Sequence, residues 1–155
     1  MGISIVEADI EDAEEILALQ KAAYASEGRL YEDFTLPPLT QTLEEMREDL
    51  GRQLFLKVVE DGEIIGSVRA HMKGDTCRVG RLIVRPDRQD RGIGSRLLKE
   101  IEERFPGAER FTLFTGHRSD KALHIYEKNG YGIYRTEPVH ARLTLVYLEK
   151  RRNEG

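Results

Sequence analysis

The stretch Val84-Arg85-Pro86-Asp87-Arg88-Gln89-Asp90-Arg91-Gly92-Ile93-Gly94-Ser95 stands between an apolar run and a helical repeat. Leu82, Ile83 and Val84 close a strand that Pro86 ends. Ile93, Leu97, Leu98 and Ile101 recur at helical spacing, and Pro106-Gly107 stops that helix. Between the two, Gly92 and Gly94 permit a backbone approach that a β-carbon would block. The amides from Arg91 to Ser95 surround the first helical turn, where backbone N–H groups lack partners. Aligned amides and the helix dipole make an anion site. Arg88, Arg91 and Arg96 either add charge to it or are simply solvated. Leu97 occupies the place of the last glycine in a dinucleotide fingerprint, and no Gly-Lys-Ser/Thr of a Walker loop follows. A pyrophosphate carried by a cofactor with a long reactive arm fits better.

Upstream, Leu54 to Glu60, Glu63 to Met72 and Thr76 to Val84 read as strands joined by Asp61-Gly62 and Gly74-Asp75 turns. That is an antiparallel meander. Ile3 to Glu7 is a short strand, and Asp9 caps a helix over residues 10–25 carrying Ala13, Ile16, Leu17 and Tyr24. Thr42 with Glu45 forms a capping box for a second helix, marked by Leu43, Met46 and Leu50. Residues 26–39, with Gly28 and Pro37-Pro38, read as a loop rich in large apolar groups: cover for the core, or a lid and substrate wall. Downstream, Phe111 to Thr115 is a strand, so strand, helix and strand predict a parallel crossover. Ser119 caps a helix with Ala122, Leu123, Ile125 and Tyr126, which Asn129-Gly130 ends. Tyr131 to Thr136 and Leu143 to Glu149 are the last strands, with Pro138 between them. The expected class is α/β (α+β), a mixed, mostly antiparallel sheet flanked by helices with a central parallel crossover. One domain is expected over residues 1–150, and a flexible tail over 151–155.

The 155 residues are 39% hydrophobic and 34% charged, a globular composition. A net charge of -4 speaks against a general nucleic-acid binder. The lone Cys77 excludes an intrachain disulfide and a cysteine-rich metal site. No apolar run is long enough to span a membrane, and the first residues lack the pattern of a signal peptide, so the cytoplasm is the expected location.

The sequence resembles the GNAT superfamily of acyl-CoA-dependent N-acyltransferases. One motif of that family, Gln/Arg-x-x-Gly-x-Gly/Ala after a Val-x-Pro strand end, is matched by Gln89-Asp90-Arg91-Gly92-Ile93-Gly94 after Val84-Arg85-Pro86. A second, Ala-x-x-x-Tyr-x-x-x-Gly-Phe/Tyr, is matched from Ala122 through Tyr126 to Gly130-Tyr131. Two positions depart. Ser119 stands where many members have Asn, and Gly80 where many carry Glu on the central strand, the usual general base.

The resemblance implies acetyl-CoA or coenzyme A as cofactor, with its phosphates on the amides of 91–95 and its pantetheine arm beside Leu82, Ile83 and Val84. Gln89, Asp90 and Ser119 fall in the same binding set. It also implies direct acetyl transfer to a primary amine in a ternary complex. The amide near Ile83 would polarise the thioester carbonyl. Tyr126 matches the tyrosine that assists the leaving thiolate, or it packs in the core. For the base, His117, His71 and His140 are candidates, as is a water relay; His117 is the first choice. Tyr31 and Phe34 would wall the acceptor, and Glu32 or Asp33 would attract its cationic head. The acceptor is a small-molecule or peptide or protein amine. Neither nucleic acid nor membrane is expected as a partner, and a homodimer stays open. The rival reading is a non-catalytic acyl-CoA-binding or sensing module, favoured by Gly80 and opposed by Tyr126.

Overall fold

The computed structural model describes residues 2–152. Its elements are β1 (Ser4–Glu7), α1 (Ala13–Tyr31), α2 (Pro37–Thr40), α3 (Leu43–Arg52), β2 (Leu54–Glu60), β3 (Glu63–Lys73), β4 (Thr76–Val84), α4 (Ile93–Glu103), β5 (Arg110–Gly116), α5 (Asp120–Lys128), β6 (Gly132–His140) and β7 (Leu143–Arg151). The strands form one mixed sheet in the order β1-β2-β3-β4-β5-β7-β6. All pairs are antiparallel except β4 with β5. This is the expected class.

Alternation along the strands divides the core between two faces. Phe55, Ile64 and Ile83 pack with Ala13, Ile16 and Leu19 of α1 and Met46 of α3. Leu56, Val58, Ile65, Val68, Val79 and Leu113 pack on the opposite face, with Leu97, Leu98 and Ile101 of α4 and Tyr126 of α5. Each large side chain buried in this way contributes about 1.5–3 kcal/mol. The Thr42–Glu45 capping box that opens α3 is present in both directions, at 3.1 and 2.9 Å.

Two features of β4 shape the site. Its parallel pairing with β5 covers just Thr76–Arg110, Cys77–Phe111 and Arg78–Thr112, after which the strands part. Its pairing with β3 slips between Gly80–Arg69 and Ile83–Ser67, so Arg81 and Leu82 share one partner position. That is a β-bulge, and Arg81 sits in it at a φ of 47°.

Several expectations change. The helix predicted over 10–25 begins at Ala13 after a 3-10 turn and runs on to Tyr31. Gly28 does not break it: a β-carbon there would meet the Phe34 ring at 2.7 Å and Leu39 at 2.9 Å, so glycine lets that segment fold back on the helix. The expected loop 26–39 is therefore largely helical. Pro138 lies inside β6 and not between strands, which the sheet tolerates because β6 is the edge. The tail expected from residue 151 starts in order. Arg151 pairs with Arg110, and Arg152 donates to the carbonyls of Ala108, Glu102 and Phe105. Residues 153–155 lie outside the described ones.

Candidate active site

Gly92 is the residue before α4, at a φ of +80° with open space where a β-carbon would point. The first helical bond runs from the Arg96 N–H to the Gly92 carbonyl, leaving the amides of Ile93, Gly94 and Ser95 ahead of the ladder. Gly94 brings α4 against its neighbours: its β-carbon would lie 3.3 Å from Ile125 and 3.7 Å from Leu82. Ser95 accepts from Asn129 at 3.0 Å, tying α4 to the end of α5. Arg88 is bonded to Glu60 and Asp87, whereas Arg91 and Arg96 are exposed beside the loop. Asp90, at a φ of 64°, faces Lys121 at 3.4 Å. The donor set suits an anion such as a pyrophosphate.

Beyond the three paired positions, β4 has no strand on its β5 side. The Arg85 N–H bonds the Ile65 carbonyl of β3. By antiparallel alternation the backbone groups of Ile83 also turn into β3, and those of Leu82 and Val84 face the gap. The amide expected to meet a thioester at Ile83 is thus committed to the sheet. The outward groups belong to its two neighbours, and of these the Val84 carbonyl accepts from Gln89 at 3.1 Å.

Through this gap the two helical layers touch. Tyr31 of α1 bonds Ser119, at the start of α5, at 2.7 Å and accepts from the Arg118 N–H at 2.9 Å. Ser119 therefore does not cap α5 with its side chain. Tyr31 is buried and lies over Gly116, where a β-carbon would come within 2.1 Å of its hydroxyl. Tyr24 and Glu27 lie three and four residues apart from one another and from Tyr31, on the same face of α1. Burial raises the Glu27 carboxyl pKa, against the neighbouring Ser119 hydroxyl, which lowers it. Burial raises Tyr126 as well, with Tyr24 and Glu27 adding to the effect. Tyr24 is pushed up to about 12 by burial, opposed by Arg81. Tyr126 packs in the core on the α4 side of the sheet, while Glu27 stands on α1 over the other side. Tyr126 is 6% exposed, with its ring 6.2 Å from that of Tyr131.

Behind them lies a buried polar cluster. Arg69, 5% exposed, donates to Asp49 at 2.7 Å and Gln20 at 2.8 Å, and its guanidinium lies 4.4 Å from the Phe55 ring centre. Gln41 accepts from Gln20 and from Arg81. A cavity of about 330 Å3 opens where Arg81 meets α2 and α3, lined by Glu45, Glu48 and Asp49.

Of the other sequence candidates, His117 borders this junction. His117 is exposed, accepts from the Thr144 N–H at 3.0 Å and has its ring 5.9 Å from that of Tyr31. His71 faces Gln53, and His140 is paired with Asp33 at 2.9 Å. That contact and two from Thr35 hold the Asp33 carboxyl below its usual range, the Thr35 bonds most. Glu32 is exposed beyond α1, and Phe34 is 58% exposed. Cys77 is fully buried, which pushes its thiol up to about 12 and keeps it protonated. Glu27 was missed by the sequence reading because α1 was ended at residue 25. The signal was Tyr24, Glu27 and Tyr31 at helical spacing. Among the described residues no acidic, histidine or cysteine group forms a metal-binding cluster, and no helix is long and apolar enough to cross a membrane.

Residues 14–131 match the model of the acetyltransferase (GNAT) family. The UPF0157 protein YqkA of Bacillus subtilis is 27% identical over 119 residues, which are 77% of this chain and 34% of YqkA. The chain therefore spans about a third of the length of that relative. The PaiA N-acetyltransferase of Thermoplasma acidophilum, solved in complex with coenzyme A, superposes with a TM-score of 0.78 at 20% identity, over 98% of this chain and 100% of that one. YncA of Salmonella typhimurium, solved with acetyl-CoA, gives 0.77 at 18%, over 100% and 96%. At these identities the superpositions establish the fold.

Proposed function

The chain belongs to the acetyltransferase (GNAT) family, and from that premise we propose that it transfers acetyl from acetyl-CoA to a primary amine by direct attack in a ternary complex. The observation that carries this reading is the gap where β4 parts from β5, opening beside the unpartnered amides that begin α4, with Tyr126 of α5 in the core on one face of the sheet and α1 over the other. The coenzyme A group fits the residues present. The amides of Ile93, Gly94 and Ser95 would hold its phosphates, and the backbone of Leu82 and Val84 its amide-bearing arm. Bound acetyl-CoA supplies a thioester, whose carbonyl carbon gains the new C–N bond as its C–S bond breaks.

Glu27 accepts the proton that the amine loses. Burial suits it to this, since a carboxyl raised above its ordinary value is a stronger base. Tyr31, one helical turn along α1, anchors this wall: it accepts from the Arg118 N–H at 2.9 Å and shares a hydrogen bond with Ser119 at 2.7 Å. Tyr126 offers its O–H to the departing sulfur. Its pKa is raised, so it stays protonated and donates a hydrogen bond throughout. Gly80 leaves no carboxylate at its position on β4, and Glu27 on α1 fills that role from the other wall. Cys77 takes no part.

Calorimetry with coenzyme A and thiol release from acetyl-CoA across a panel of amines test this reading. The wild type should bind and turn over, and Gly92→Asp, which adds bulk at a positive φ and a negative charge, should bind far more weakly with unchanged circular dichroism. Binding without turnover of any amine would select a non-catalytic acyl-CoA-binding module. Absence of binding rejects both.

A further inference from the structure

Where α1 and α3 stop covering the sheet, a groove of about 560 Å3 crosses its C-terminal half. Its lining contains four cations, Lys73, Arg78, Arg110 and Arg135, and no carboxylate. They come from different strands: Arg78 from β4, Arg110 from β5 and Arg135 from β6, with β7 between the last two. Two are held in place. Arg110 donates to Glu149 at 2.7 Å and lies 4.9 Å from the Tyr134 ring centre. Arg135 stacks 3.7 Å over Tyr147, whose hydroxyl donates to Glu137. The chain carries a net charge of -4, so this concentration of positive charge runs against the whole.

The groove adjoins the split. Phe114, in its lining and 54% exposed, is two residues from Gly116, which lies beneath Tyr31. Val79, also in the lining, is two residues from Arg81 in the bulge. From β4 to β6 there are three interstrand steps, about 14 Å at ~4.8 Å each. A single small acid does not reach both Arg78 and Arg135, whereas about four residues of extended peptide do.

We propose that this groove binds an acidic segment of a polypeptide acceptor, so that the amine acetylated belongs to a chain with acidic residues directly beside it. The inference rests on the transfer reading for its chemistry and on the groove alone for its binding. Opposite charge across the groove supplies selectivity and steers approach. The exposed ring of Phe114 ends the groove two residues along β5 from Gly116, beneath Tyr31, which stands one helical turn from Glu27 on α1.

The test uses fluorescent peptides with acidic residues directly after a free amino terminus, their amide counterparts with Asn and Gln, and their lysine counterparts. Anisotropy is measured without acetyl-CoA, and thiol release with it. The acidic peptide should bind at least about tenfold more tightly than the amide peptide. Arg78→Glu and Arg135→Glu should abolish that preference and favour the lysine peptide, and Arg78→Gln should reduce it. Equal affinity for acidic and amide peptides overturns the proposal, as does a preference that neither reversal changes. Displacement of the acidic peptide by a tighter-binding single-stranded oligonucleotide would assign the groove to nucleic acid and overturn it too. Charge-dependent binding without turnover keeps the groove and rejects the transfer reading. Turnover with no acidic preference does the reverse.

Discussion

Glu27 stands one helical turn before Tyr31 on α1, and burial raises its pKa. A base works deprotonated, so kcat/KM should rise with pH along a limb set above the ~4.3 of an ordinary Glu. Glu27→Gln should remove that limb and lower the rate by about 100-fold or more, and Glu27→Asp should keep the limb at a reduced rate. Persistence of the limb in Glu27→Gln would move the base elsewhere, His117 first. The same shift has a sign for stability. A carboxyl whose folded pKa is raised binds protons more tightly when folded, so its contribution is complete below the unfolded pKa and lost as pH climbs through the folded one. At neutral pH Glu27→Gln should therefore raise Tm while lowering turnover, a pairing that general loss of structure does not produce. Tyr126→Phe keeps the ring and removes the donor; roughly a 10–1000-fold loss of rate with unchanged coenzyme A affinity is expected.

Among the elements, α1 and β5 fit because Gly116 offers no side chain to Tyr31. Gly116→Ala would place a methyl group 2.1 Å from the hydroxyl and force the ring away. Both hydrogen bonds of that hydroxyl, the one shared with Ser119 and the one accepted from the Arg118 N–H, should break, loosening the end of α1 that carries Glu27. The expected result is a lowered kcat with coenzyme A affinity nearly unchanged, because the phosphate amides belong to α4. A mutant with wild-type kcat would show that the Tyr31 anchor does not position the base. How much of this was legible in the sequence depended on the signal. Turns with Asp61-Gly62 and Gly74-Asp75 punctuate the meander, so β2 and β4 had the expected boundaries. The Gly92-Ile93-Gly94 run likewise marked the start of α4. Gly28 misled, because a glycine chosen for close packing in a helix looks like one chosen to end it. Pro138 misled for a related reason, since its place at an edge depends on the sheet order. The bulge at Arg81, the turning of Ile83 toward β3 and the groove arginines drawn from three strands all arise from pairing between distant segments, which local spacing does not encode.

At the scale of the whole molecule, a ligand that joins α4, β4 and β5 should stabilise all of them by mass action. Coenzyme A at about 100 times its Kd adds about 2.7 kcal/mol, which for a chain of this size corresponds to roughly 5–10 °C in Tm. Thermal melts with and without the cofactor measure it, and an unchanged Tm at saturating concentration would contradict the assigned site. The separation of β4 from β5 has one more result. Exposed strand edges usually invite foreign strands and aggregation. Here two edges face each other inside the sheet, with α1 over one side and α4 and α5 over the other. A peptide strand entering that slot would drive alternate side chains into both roofs. A thinner amide-bearing thread, with no side chain at every residue, would not, so the slot screens its occupants by thickness, suiting a pantetheine-like arm while shielding the interior edges from other polypeptides.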